Sequence, residues 1–419
     1  MVLLAYLVGG VLTLGGALTF AELSAMMPRS GGQYNFIGAA FGRVWAFLYG
    51  WMETLLDGAA SMAAVAFVFI IFLNDLLGGP LSPAKIQMLT IGTIVAVTLL
   101  SLASMHTNGV LATVVTSLKV LLVAGIGVTA FLFNDGSWSH FAASGAGGAC
   151  EGVPESARLG ATGFGAAVIG ALWGYNGWAD VSFIAEEVRD PGRTLPRALI
   201  GGSVLIIALY LVINAGYFYA LSPETVANVP EASSVAAVVM VRMLGAAGAS
   251  LLTIGMMFST FGALHSLCLA VSRIPFAMAR DGLLPRTFAT VSPRARVPTR
   301  AILLLGGCAI GFVFLGTFDV LTDVVVFMLL LFNGMAVASI YVLRRKLPNA
   351  VRPYRVWGYP VVPALFLAAT AYLMINTFLA TPQRALASLG IVALGLPLYT
   401  YYARGRPPGR PEDWLADAN

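Results

Sequence analysis

Charge is the scarcest property of this chain: Asp, Glu, Lys and Arg together make up only 10% of its 419 residues. A soluble domain carries about a quarter charged residues, so an ordinary water-facing surface is excluded. Histidine is scarce too. His106, His140 and His265 lie on separate segments, and no H-E-x-x-H, P-loop lysine, G-x-S-x-G or Asp-rich metal pair accompanies them. An enzyme is therefore not expected. Only His265 falls inside a long apolar segment, where a hydrogen-bonded packing role is the expectation. Cys150, Cys268 and Cys308 show no CxxC or metal-ligand spacing, so neither a disulfide framework nor a metal site is read, and no cofactor is implied.

What the chain has in quantity is hydrocarbon, with 58% hydrophobic residues and a mean hydropathy of +0.85. Apolar runs near 2–20, 43–77, 86–104, 110–133, 162–185, 198–220, 239–272, 301–317, 321–343, 360–380 and 386–402 meet the requirement of about 20 residues per crossing. These eleven spans predict an all-α membrane protein in the lipid bilayer. Those at 43–77 and 239–272 are too long to cross upright, which predicts strong tilt or projecting ends. Residues 1–403 read as one transmembrane domain. The tail, 404–419, and the Gly-, Ala- and Ser-rich loop at 134–160 read as mobile surface segments.

The basic residues orient these spans, because cytoplasmic loops hold the excess of Lys and Arg. Nineteen of the 24 fall on one side, from Arg29 and Arg43 through the clusters at 189–197, 273–300 and 344–355 to Arg404, Arg406 and Arg410. Only Lys85, Arg158, Arg242 and Arg384 fall on the other. A pI of 9.2 is thus a consequence of topology in a cytoplasmic membrane. No stretch interleaves basic and aromatic residues as a nucleic-acid surface does. Counting back puts the C-terminus in the cytoplasm and Met1 on the outer face. No basic n-region or cleavage site marks a secretory signal.

One span is interrupted. Trp173-Gly174-Tyr175-Asn176-Gly177-Trp178 plants two glycines and an amide in the 162–185 run. Glycine weakens a helix interior by about 1 kcal/mol relative to alanine. In hydrocarbon each freed backbone group needs a partner within the protein, so such a break marks a place where something binds. At a rise of about 1.5 Å per residue, Trp173 sits roughly 16 Å into the span, near the midplane. The competing reading has Trp173 and Trp178 merely packing, with the glycines permitting close helix approach. Three charges sit where charge is expensive, toward the midplane: Glu53 and Asp57, one helical turn apart in 43–77, and Lys119, about 14 Å from the cytoplasmic end of 110–133.

The short polar motifs carry a resemblance. Ala21-Glu22-Leu23 with Pro28-Arg29-Ser30-Gly31-Gly32-Gln33-Tyr34 looks like the first cytoplasmic loop of amino acid permeases in the amino acid-polyamine-organocation superfamily, closest to the L-type branch. The segment from Leu172 through Trp178 to Glu186-Glu187-Val188-Arg189-Asp190-Pro191 and Leu195-Pro196-Arg197-Ala198 is similar to that family's broken sixth helix and the loop after it. A third block, Phe258-Ser259-Thr260-Phe261-Gly262, Ser272-Arg273 and Ala279-Arg280-Asp281-Gly282-Leu283-Leu284-Pro285, follows in the family's order. The resemblance covers essentially the whole chain, aligned from the family's second helix to its twelfth. The Gly-Ser-Gly-Ile-Phe motif of the first helix has no counterpart, so a truncated gene model and a transport-inactive remnant are expectations alongside a working permease.

The resemblance implies an inverted-repeat transporter that moves an amino acid by alternating access, without sodium. The substrate would meet backbone at Trp173, Gly174, Tyr175, Asn176 and Gly177, with Trp173 as the aromatic gate. Lys119 matches a fifth-helix lysine that, in sodium-independent members, resembles a stand-in for a bound sodium ion, and Ser259 is counted with it as an ion-site or proton-coupling candidate. A proton-coupling lysine and a fixed ion pair both remain open for Lys119. Glu53 and Asp57 depart from the family pattern: they would favour a cationic substrate or neutralise Lys119. The sequence assigns no accessory subunit.

Overall fold

A computed structural model describes residues 1–132, 136–142, 161–229, 234–315, 318–404 and 410–415; side chains at 161, 162, 166, 173, 318–326 and 380 are outside that description, as is Cys150. The described residues form helices and turns without a strand. Apolar side chains surround most helices almost uniformly, as segments facing lipid on one side and protein on the other require. In chain order they are α1 (Val2–Met26), α2 (Gln33–Phe41), α3 (Arg43–Trp51), α4 (Ala59–Leu77), α5 (Pro83–Ser101), α6 (Met105–Thr129), α7 (Ala161–Gly174) and α8 (Pro191–Ala220). There follow α9 (Pro223–Ala227), α10 (Val235–Leu244), α11 (Ala246–Val271), α12 (Arg273–Arg280), α13 (Thr299–Leu315), α14 (Phe318–Lys346), α15 (Val361–Ala380), α16 (Pro382–Ala393) and α17 (Leu396–Ala403).

Among the described residues nine stretches are long and apolar enough to cross a membrane, and α7 and α13 are shorter apolar helices at two further expected spans. The two overlong spans resolve differently. Arg43–Leu77 is continuous but contains a π-helical turn at Met52–Gly58 between α3 and α4. The 239–272 run is not one element: the chain breaks at Gly245, which separates α10 from α11.

The core lies between α1, α4, α11 and α14. α1 packs chiefly on α8, with α7 and α15 beside it, while α4 packs on α11, α13 and α5. α6 bridges α8 and α11. His265 is buried and its Nε2 hydrogen-bonds Asn108 Oδ1 at 3.0 Å, which joins α11 to α6. The tail departs from the expectation of a mobile segment. Pro411–Trp414 docks against α2, and Trp414 is 3% exposed, its ring set edge-on to Tyr34 at 5.3 Å.

Candidate functional site

The break is where the glycines predict it. α7 stops at Gly174, residues 175–179 form turns, and a 3-10 segment resumes at Asp180–Glu187. Gly177 carries φ +90°, a left-handed backbone that a residue with a Cβ rarely adopts. Local bonds hold the turn: Gly177 N–H donates to Asn176 Oδ1 at 3.0 Å, and Asp180 N–H donates to the Gly177 carbonyl at 3.2 Å. The Tyr210 hydroxyl, from α8, donates to the Gly174 carbonyl at 2.5 Å, supplying the partner that a helix end in hydrocarbon needs.

The aromatic residues of the motif have separate roles. The Tyr175 side chain is buried, donates its hydroxyl to the Tyr6 carbonyl at 2.9 Å, and packs edge-on to Tyr6 and Tyr210. Its backbone, not its ring, is what remains at the break. Trp178 packs on Phe20 and Phe366, with ring centroids at 4.7 and 6.2 Å. The Trp173 side chain lies outside the described residues. Gly174, Asn176 and Gly177 are exposed. A mostly apolar cavity of about 130 Å³ opens beside them, lined by Asn176 and Trp178 together with Thr13, Asn333, Phe366 and Thr370.

The charged candidates fall into two groups. Lys119 packs on α11: its Cε is 3.4 Å from where a Cβ on Gly262 would stand, one turn beyond Ser259. No carboxylate of the described residues lies within 4.0 Å of it, so the ion pair with Glu53 or Asp57 is not formed. Glu53 and Asp57 are buried on the π-helical turn, and Ser61 donates to Asp57 Oδ1 at 3.1 Å. Asp180 stands just past the turn, its Oδ2 3.4 Å from where a Cβ on Gly177 would lie. Sequence reasoning passed over Asp180, although a carboxylate three residues past Gly177 inside an apolar run was signal enough.

The three motif blocks meet at the basic face. Glu22 accepts from Arg344 at 3.0 and 2.6 Å and from the Val356 N–H at 2.7 Å. Arg273 donates to Glu187 at 2.9 and 3.2 Å, Arg280 pairs with Glu186 at 2.7 Å, and Arg29 pairs with Asp281 at 3.2 Å. Burial pushes the Glu187 carboxyl above its ordinary value, outweighing the opposing pull of Arg273. Burial acts the same way on Glu186, but hydrogen bonds from Arg280 and Ser30 outweigh it and hold that carboxyl below the ordinary value.

A broken helix beside a cavity, in a bundle of apolar helices, is an arrangement for binding a small solute within a membrane. Residues 1–400 match the amino acid permease family over nearly the full length. The chain belongs to that family. This permease is similar to the serine/threonine exchanger SteT of Bacillus subtilis (strain 168), 29% identical over 401 residues, covering 95% of the chain and 88% of the relative. It is also similar to the human b(0,+)-type amino acid transporter 1, 27% identical with 89% and 74% covered. The human cystine/glutamate transporter is 27% identical with 95% and 77% covered. The permease is a multi-pass membrane transporter of amino acids, not an enzyme.

Proposed function

We propose that this permease carries an amino acid across the cytoplasmic membrane by alternating access and without sodium. The observation that supports this most is the turn at 175–179, which interrupts an apolar helix and sets Asn176 on the cavity wall. Backbone carbonyls at the end of α7 would take the substrate ammonium, and amides at the start of the following segment its carboxylate, both favoured by the helix-end partial charges. Trp173 would close over the bound substrate. The basic face is cytoplasmic on this reading, and its ion pairs fasten the inner ends of the helices while the outer path is open.

Lys119 supports independence from sodium. Its Cε lies 3.4 Å from where a Cβ on Gly262 of α11 would stand, and no carboxylate of the described residues is within 4.0 Å; on this reading its ammonium serves as the cation between α6 and α11. The test is transport by the protein reconstituted in liposomes, with sodium replaced by choline. Equal rates in the two salts, with loss of transport in Lys119→Ala, are expected. Transport that requires sodium while Lys119 is intact would refute the assignment.

A further inference from the structure

The cavity beside the turn draws a long stripe of its wall from α15. Phe366, Ala369, Thr370, Leu373 and Thr377 all line it, at spacings that place them on one face of the helix. The stripe starts at the turn, because Phe366 is the ring that packs on Trp178 at 6.2 Å. α14 closes against it: Thr370 Cγ2 lies 3.4 Å from where a Cβ on Gly334 would stand. Ala369 is the shortest side chain of the five, so the stripe leaves most room there.

The wall carries no charge. Among the described residues that line the cavity none is acidic or basic, and Glu53, Asp57 and Asp180 form no part of it. The Thr13 hydroxyl on the wall is spent on the Gly9 carbonyl at 2.9 Å. A charged group brought here would lose its water without gaining an opposite charge, so the space suits an uncharged one. Size narrows the choice further. A dry apolar cavity of about 150 Å³ accepts a benzene molecule. One of about 130 Å³ therefore admits a branched aliphatic side chain and is too small for an indole.

Asn176 belongs both to the turn and to the wall, so a molecule held by the turn's backbone has the cavity directly beside it. This continuity favours the substrate's own side chain over a lipid chain as the occupant. We propose that the cavity receives the substrate side chain, and that Ala369 and Leu373 of α15 are specificity-determining residues that set the largest uncharged side chain this permease accepts. The inference rests on the reading that the turn holds the substrate's α-amino and carboxylate groups.

The experiment measures equilibrium binding of L-alanine, L-leucine and L-tryptophan, uncharged amino acids of rising size, to the purified full chain. Leucine is expected to bind about tenfold tighter than alanine or more, and tryptophan more weakly than leucine. Ala369→Phe should remove the preference for leucine over alanine by filling the cavity. Leu373→Ala should raise tryptophan binding relative to leucine about fivefold or more, a gain that a damaged fold does not give. Where Ala369→Phe fails to fold, the ratio in Leu373→Ala decides. Equal binding of leucine and alanine to the unaltered protein overturns the size limit and leaves the turn's role intact. Ratios that the substitutions leave unchanged do the same, and are the result expected if lipid fills the cavity. Binding of none of the three overturns the turn as the substrate site, and this inference with it.

Discussion

Glu22 and Arg344, separated by 322 residues in sequence, form a two-point pair: Nε to Oε1 at 3.0 Å and Nη2 to Oε2 at 2.6 Å. Arg352 approaches the same carboxylate at 3.3 Å, and the Arg344 guanidinium lies 3.8 Å over the Tyr359 ring. One buried glutamate thereby ties α1 to the end of α14 and to the loop before α15. Two arginines and a backbone amide depend on it.

Glu22→Ala should therefore lower the unfolding free energy by about 1.5–3 kcal/mol, because it removes charge-assisted hydrogen bonds from the partly exposed Arg344 and from the Val356 N–H. Thermal melting in detergent would register this as a large drop in midpoint. Glu22→Ala with Arg344→Met should cost clearly less than the two single changes added together. Strict additivity would mean that the pair is not coupled.

The neighbouring glutamates should titrate in a set order. As pH falls, Glu187 gains its proton above the ordinary carboxyl value of about 4.3 and Glu186 below it. The sign follows from linkage. The raised Glu187 value makes its ionisation unfavourable to the fold as pH rises. The lowered Glu186 value adds stability above the unfolded value, which is lost as pH drops through the folded one. Glutamate-labelled carboxyl NMR, assigned with Glu186→Gln and Glu187→Gln, reads the order directly. The reverse order would contradict the ion-pair geometry.

The docked tail gives a third prediction. Trp414 fills the space above Gly38, where any added Cβ would run into the indole. Gly38→Leu and Trp414→Ala should each release 410–415 and open the bond after Glu412 to a glutamate-specific protease, while the purified protein keeps its helical content. Equal protection in the wild type and both variants would mean that the tail is not held by this contact.

Much of this was legible in the sequence, and for identifiable reasons. The broken helix was readable because two glycines and an amide inside a hydrocarbon-spanning helix seldom do anything but interrupt it, and the permease family because its polar loops are distinctive. Tertiary contacts were not readable. Composition alone made the tail look mobile, since nothing local to Trp414 announces a slot on α2. The 239–272 run read as one span because Gly245 is a single glycine with no polar neighbour. Asp180 was missed because it was counted as part of an apolar run.

The central claim is that the turn at 175–179 is where substrate is carried. Uptake of radiolabelled amino acids into liposomes containing the protein, in sodium-free medium, tests it against Gly177→Val, which cannot hold φ +90° without strain. The account predicts uptake well above protein-free liposomes for the wild type. It predicts at least a tenfold loss for Gly177→Val at equal protein incorporation. Uptake by Gly177→Val at the wild-type rate would contradict it.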